Sequence, residues 1–165
     1  MKIQSTANTN DEERKRVTIY TDGSCQGNPG PGGWSAILLY KGKEREMAGG
    51  EKNTTNNRME LTAVIEALKA LKEPCTADVY SDSLYVVDAF RKKWIDGWER
   101  KGWKKADNKA VKNDDLWKSL LELTRLHNVN FHHVEGHSGH HFNERCDTLA
   151  QKTAEGYSNG GSGSL

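Results

Sequence analysis

No run of apolar residues in this chain is long enough to cross a bilayer. Its first sixteen residues, MKIQSTANTNDEERKR, contain no apolar stretch of the kind a secretion signal needs. Three cysteines, Cys25, Cys75 and Cys146, are odd in number and widely spaced, which argues against a complete disulfide framework and for reduced thiols. There is no internal repeat. An excess of one charge sign is missing too, since 24 basic and 23 acidic side chains leave a net charge of +1. These absences point to a soluble, cytoplasmic protein with no membrane partner, expected to be a monomer. Its 165 residues suit one domain with a real core.

The near-neutral total hides a strong segregation. Residues 91–112 hold nine basic side chains against three acidic ones, a local charge of +6 that leaves −5 for the remainder. A basic block on an acidic chain suits a polyanionic partner, although a solvated charged face is the ordinary explanation of a lysine run. Residues 1–16 are polar and read as a disordered tail; 156–165 are rich in Gly and Ser and read the same way, leaving a domain over 17–155.

Val17–Thr21 alternates β-branched and aromatic residues as a strand does. The segment 23–33 has five glycines and two prolines and is expected to be a tight connection. Trp34–Tyr40 reads as a second strand, and Lys41-Gly42-Lys43 as a hairpin turn into a third that ends near Gly49-Gly50. The period then changes. Leu61, Val64, Ile65, Leu68 and Leu71 share one helical face, closed by Pro74. Ala77–Ser81 is a short strand, and Val86, Val87, Phe90 and Trp94 predict one further helix. Asn113-Asp114-Asp115 is a good helix start, 128–134 a last strand and 143–153 a last helix. The order implies an α/β fold, a mixed sheet with helices packed on it.

Asp22 and Asp82 stand at the ends of two of these strands, where ligands gather in α/β sheets. Glu60 opens a helix and Asp147 lies within one. Carboxylates held close together repel unless a cation neutralises them, and oxygen ligands suit Mg²⁺ or Mn²⁺ in phosphodiester hydrolysis. Each acid also has an ordinary explanation. Asp-Gly after a strand is commonly a turn, Glu60 stands at capping-box distance from Asn57, Asp82 precedes a possible cap, and Asp147 fits a solvated helix face. Spacing alone leaves both readings open.

The surrounding words carry more. Thr-Asp-Gly-Ser-Cys-Gln-Gly-Asn-Pro-Gly-Pro-Gly-Gly (21–33), Thr-Thr-Asn-Asn-Arg-Met-Glu-Leu (54–61), Ser-Asp-Ser-Leu-Tyr-Val (81–86), Gly-His-Ser-Gly-His (136–140) and Asn-Glu-Arg-Cys-Asp-Thr-Leu-Ala (143–150) resemble ribonuclease HI, in family order over 17–153. The resemblance implies the ribonuclease H-like fold, a five-stranded sheet with three antiparallel then two parallel strands and helices on both faces. It implies an endonuclease cutting the RNA strand of RNA–DNA hybrids, leaving 5′-phosphate and 3′-hydroxyl ends. Asp22, Glu60, Asp82 and Asp147 match the metal-binding carboxylates, which hold two Mg²⁺ ions with substrate, Mn²⁺ being a substitute. His137 matches a loop histidine that assists proton transfer or product departure, and flanking glycines would let that loop move. A zinc site built from His132, His133, His137, His140, His141 and Cys146 fits no closed Cys/His spacing.

By the same resemblance Cys25, Asn28, Asn56 and Asn57 are candidates for sensing 2′-hydroxyls, and Thr55 for holding a DNA-strand phosphate. Asn56-Asn57 would equally serve as a turn and cap. The basic stretch matches the basic protrusion of bacterial forms, with Trp94, Lys101, Lys104 and Lys105 as substrate contacts. Trp94 and Trp98 stand at helical spacing, so packing is expected of at least one. Three departures are visible. Leu84 replaces a frequent glutamine, one extra residue stands between Asp82 and Trp94, and Glu135 replaces a position that is often basic. Two other readings stay open: a non-catalytic hybrid-binding module, and another nuclease of this superfamily.

Overall fold

The structure is a computed structural model and describes residues 14–135 and 141–158. Three strands open the chain: β1 (Lys15–Cys25), β2 (Gly30–Tyr40) and β3 (Lys43–Thr54). Then follow α1 (Asn56–Lys69), β4 (Cys75–Ser81), α2 (Leu84–Arg91), α3 (Trp94–Arg100), α4 (Asp114–Leu126), β5 (Asn128–His133) and α5 (His141–Ser158). The sheet order is β3-β2-β1-β4-β5; β2 is antiparallel to β1 and β3, while β4 is parallel to β1 and β5. This is the mixed sheet implied by the resemblance.

The strand period of two sorts the side chains onto opposite faces. Val17, Ile19, Ala36 and Leu38 join Leu61, Val64 and Leu68 of α1 and Trp117 and Leu120 of α4 in the main core. Tyr20 and Ile37 point the other way and meet Cys146 and Phe142 of α5. Helices therefore cover both faces. Leu61, Val64 and Leu68 are fully buried, each worth about 2 kcal/mol relative to exposure. On the α5 side, rings stack across adjacent parallel strands: Tyr20 on Tyr80 at 5.0 Å and Tyr80 on His132 at 4.7 Å.

Several boundaries differ from those expected. The strands run on through the glycine-rich segment, leaving only 26–29 as the turn. The glycines serve packing there: a Cβ on Gly33 would lie 2.6 Å from both the Ala150 carbonyl and the Ala154 amide nitrogen of α5. Helix α1 ends at Lys69, capped by Ala70 and ahead of Pro74, and Leu71 packs on the core from outside the helix. The helix expected to carry Phe90 and Trp94 is broken in two. Lys93 adopts a left-handed conformation (φ 60°), which redirects the chain and lets Ile95 of α3 reach the interior. No helix among the described residues is long and apolar enough to cross a membrane.

Gly33→Ala and Gly97→Ala should have opposite effects. The first forces α5 off β2, an overpacking that costs about 1–3 kcal/mol. The second adds a methyl within α3 that meets only the flexible end of Arg100, at an ordinary contact distance of 3.9 Å, and should stabilise by about 0.5–1 kcal/mol. Urea unfolding of both variants checks this.

Candidate active site

The carboxylates are brought together by register and by one bare backbone. Tyr20 of β1 pairs with Tyr80 of β4 where the parallel pairing stops, and two residues beyond each stand Asp22 and Asp82. Asp82 lies just past the end of β4. Asp22 is not at the strand end expected but within β1, still paired with Ser35 of β2. Glu60 comes to them from α1. The helix can approach because Gly23 has no side chain: a Cβ there would lie 2.5 Å from the Glu60 nitrogen and 2.7 Å from the Met59 carbonyl carbon. Ligand oxygens of Asp22, Glu60 and Asp82 all fall within 4.8 Å of one another.

The capping explanations for these acids do not hold. Thr55 is the N-cap of α1, its hydroxyl accepting from the Arg58 amide at 3.3 Å, so Glu60 sits inside the helix and is buried. Ser83 caps α2 by accepting from the Val86 amide at 3.3 Å, which leaves the Asp82 carboxylate free of that task.

Asp147 arrives on α5, whose backbone is fixed at the preceding residue. The Ser35 hydroxyl of β2 donates to the Cys146 carbonyl at 2.6 Å, and the Cys146 thiol donates to the Tyr20 carbonyl at 3.3 Å. Gln151 donates to both Asp147 oxygens at 3.1 and 3.2 Å. Ser35 was not singled out from sequence; its partner lies 111 residues away, and only its register opposite Asp22 hints at a role.

The electrostatics are those of a site short of positive charge. Burial, then the charges of Asp82 and Asp147, push the Asp22 carboxyl up to about 9, although the Gly23 amide donates to it at 2.9 Å. Glu60 is raised well above the usual carboxylate range by burial, then by Asp22 and Asp82. Asp82 is raised by burial, then by Asp147. Asp22 Oδ2 and Glu60 Oε1 are buried with no hydrogen-bond partner among the described residues. Such atoms are costly unless something binds them. A hard cation suits them, because the donor set is all oxygen and anionic.

Beside this centre lies a polar turn. The Cys25 thiol donates to the carbonyls of Gly30 (3.4 Å) and Thr54 (3.3 Å), and Asn28 Oδ1 accepts from the Asn56 amide at 3.0 Å. These bonds tie the β1–β2 turn to the start of α1. Thr55 is half-buried, while Asn28, Asn56 and Asn57 are exposed.

The basic segment forms an arm between α2 and α4. All nine of its cationic side chains are exposed. Lys101, Lys104 and Lys105 line a groove with Lys93, Trp94 and Trp98. Trp94 is 44% exposed with Lys92 Nζ 5.5 Å from its ring centre, whereas Trp98 packs on buried Trp117 at 5.4 Å. One tryptophan packs and the other faces solvent. Ile95 and Val111 pin the arm to the core.

Leu84 is 52% exposed at the start of α2, and Glu135 is exposed after β5. His137 and His140 lie outside the described residues. His132 engages Asp78 at 3.0 Å and the Cys146 thiol is spent on Tyr20, so these two are not drawn into a zinc cluster. Among the described residues the Asp22, Glu60 and Asp82 trio is the grouping with metal-holding geometry.

The RNase H family profile matches residues 14–155. The chain belongs to the RNase H family. It is 61% identical over 137 residues to a Ribonuclease H of Oleidesulfovibrio alaskensis, covering 83% of this chain and 89% of that protein. It is 58% identical over 142 residues to a Ribonuclease H of Chlorobium luteolum, covering 86% and 97%. Among solved structures it resembles LC9-RNase H1, a type 1 RNase H with the type 2 active-site motif. That match has a TM-score of 0.78 and 33% identity, covering 87% of this chain and 74% of that one. As a member of the RNase H family the chain is an endoribonuclease.

Without divalent ions, stability should fall as pH rises from about 4 to about 9. In that window the unfolded Asp22 is ionised while the folded one still holds its proton. Asp22→Asn in a chelator should therefore unfold later than wild type at pH 8, by about 1–3 kcal/mol, with the gap closing towards pH 4. Thermal melts across pH, with and without Mg²⁺, measure both effects.

Proposed function

We propose that this RNase H cuts the RNA strand of RNA–DNA hybrids at internal positions, using two Mg²⁺ ions held by Asp22, Glu60, Asp82 and Asp147, with Mn²⁺ as a working substitute. The observation that carries the reading is the pair of buried, unpartnered oxygens, Asp22 Oδ2 and Glu60 Oε1, inside an all-carboxylate cluster where the parallel pairing of β1 and β4 stops. Divalent ions bound there supply an acidified water as nucleophile and positive charge for the departing 3′-oxygen. In-line attack on the phosphorus leaves a 5′-phosphate and a 3′-hydroxyl.

The chain's own residues do the remaining work. The four carboxylates would hold the cations, and Asp22, Glu60 and Asp82 would ionise as the ions bind, because the repulsion that raised them is then neutralised. The turn built from Cys25, Asn28, Asn56 and Asn57 offers small polar groups at the height of a minor groove, where 2′-hydroxyls distinguish RNA from DNA. Thr55, at the positive end of α1, receives a phosphate of the DNA strand. Lys101, Lys104 and Lys105 grip phosphates further along, with Trp94 lying against sugars. His137 exchanges the proton that accompanies product departure. The enzyme is proposed to act as a monomer in the cytoplasm, where reduced cysteines are at home.

End-labelled RNA paired to DNA, with duplex RNA, duplex DNA and free RNA as controls, tests the reading. Internal cuts confined to the hybrid and dependent on Mg²⁺ or Mn²⁺ are expected. Losing groups that merely support metal ligands costs about 10–100-fold, so Asp22→Asn should lose more than about a hundredfold. Binding without cutting in either metal would leave a hybrid-binding module; equal cutting of another duplex would make the chain a different nuclease of the fold.

Replacing Lys101, Lys104 and Lys105 together with Ala should flatten the salt dependence of hybrid binding. The slope of log K against log[salt] should fall by about 2–3, as read by fluorescence anisotropy at several salt concentrations.

A further inference from the structure

The basic arm joins the body at two places. It leaves after α2 through Lys93 and returns to α4 through Asn113, and both residues take the left-handed conformation (φ 60° and 62°). Asn113 stands at the cap position of α4, yet its side chain makes no cap hydrogen bond. Its amide is held from two sides instead. Asn113 Nδ2 donates to the Tyr85 hydroxyl at 3.0 Å, and Asn113 Oδ1 accepts from Arg58 at 3.2 Å. The same guanidinium forks onto Asp115 at 3.0 and 2.8 Å. The Tyr85 hydroxyl also accepts from the Trp117 indole at 3.0 Å. Arg58 belongs to the first turn of α1, beside the Asn56-Asn57 turn and two residues before Glu60.

A partly exposed ion pair contributes little to stability, about 0–1 kcal/mol. The Arg58 and Asp115 side chains are 32% and 61% exposed, so stability is a weak reason for this arrangement. Geometry is a stronger one. A bidentate fork fixes orientation as well as distance; this fork joins the helix carrying Glu60 to Asp115 in the first turn of α4. A single bond from the same guanidinium reaches Asn113, where the arm turns back. Ile95 and Val111 hold the arm to the core through apolar contacts, which are not directional. Two directed links add orientation: the Arg58 clamp where the arm returns to α4, and a bond from Arg125 of α4 to Glu99 of α3 at 2.6 Å. Of the two, the clamp is the one that reaches the helix carrying Glu60.

We propose that Arg58 is a positioning residue: through Asn113 and Asp115 it fixes the basic arm relative to the carboxylate centre, so that arm lysines and metal site engage one hybrid in register. This rests on the function proposed above. With the clamp broken, the lysines keep their charge but meet phosphates in the wrong place, and binding weakens while the chemistry of correctly bound substrate is spared. Arg58→Gln and Asp115→Asn, which break the clamp from opposite sides, should each raise KM by about threefold or more, in the range of networked side chains, with a much smaller change in kcat. Arg58→Lys, which cannot fork, should recover only part.

The deciding experiment is a double-mutant cycle between Arg58→Gln and the Lys104→Ala/Lys105→Ala pair, read both as KM and as hybrid Kd in chelator, with a thermal melt of each variant. Positioning predicts non-additivity: removing the lysines costs less when Arg58 is already gone, and Asp115→Asn behaves like Arg58→Gln. Additive effects overturn the inference. So does an Asp115→Asn variant that binds as well as wild type, since Arg58 would then be touching substrate itself. A lowered melting temperature with unchanged KM and Kd overturns it in favour of a purely structural clamp. A wild type that does not cut the hybrid defeats the functional reading instead, and that result is separate because the coupling is still read in Kd.

Discussion

Three carboxylates share one small volume at the end of the central strand pair, and two of them are buried with an oxygen that nothing in the described protein satisfies. This concentration of like charge works against folding, and much of the surrounding structure serves to hold it. Gly23 gives up its side chain so that α1 can press Glu60 towards Asp22. The parallel pairing of β1 with β4 fixes the separation of Asp22 from Asp82. Ser35 and Cys146 fasten α5 beside them. The stability lost at the centre is supplied elsewhere, by the apolar side chains of α1 and α4 against the sheet.

This arrangement separates two tasks. The carboxylate end is set by backbone pairing and by helices packed on both faces of the sheet. The polar turn and the basic arm, proposed to grip substrate, carry most of their polar side chains at the surface. Family membership and the geometry of the carboxylates agree on what the carboxylate end is for.

How much of this could be read beforehand depended on the range of the interactions. The alternation of Val17, Ile19 and Thr21 and the helical face of Leu61, Val64 and Leu68 are local patterns, and those elements were legible. Asp82 was legible as a strand-end acid, whereas β1 runs on past Asp22 to Cys25; the motif blocks supplied Glu60 and Asp147. What eluded the sequence was decided by distant partners. The glycine-rich segment read as a loop because the helix that needs Gly33 bare lies more than a hundred residues later. The break at Lys93 depends on where Ile95 must go. Arg58 and Asp115 are 57 residues apart, and no periodicity connects them. Asn113 looked like a cap by type, yet its side chain is spent on Arg58 and Tyr85.

The unequal burial of the three thiols has a chemical consequence. Cys146 is sealed against β1, and burial lifts its thiol to about 12; Cys75 is also buried and raised. Nucleophilic sulfur requires the thiolate and access, so both are shielded from alkylation and oxidation in the folded protein. Burial raises the Cys25 thiol too, but Cys25 is only half-buried, beside the turn that holds Asn28, so access alone sets it apart. Electrophiles and oxidants are thus directed to one sulfur, and an adduct there severs its links to Gly30 and Thr54. Oxidative damage would reach the turn beside α1 before it reached the core, leaving a folded protein with an altered surface.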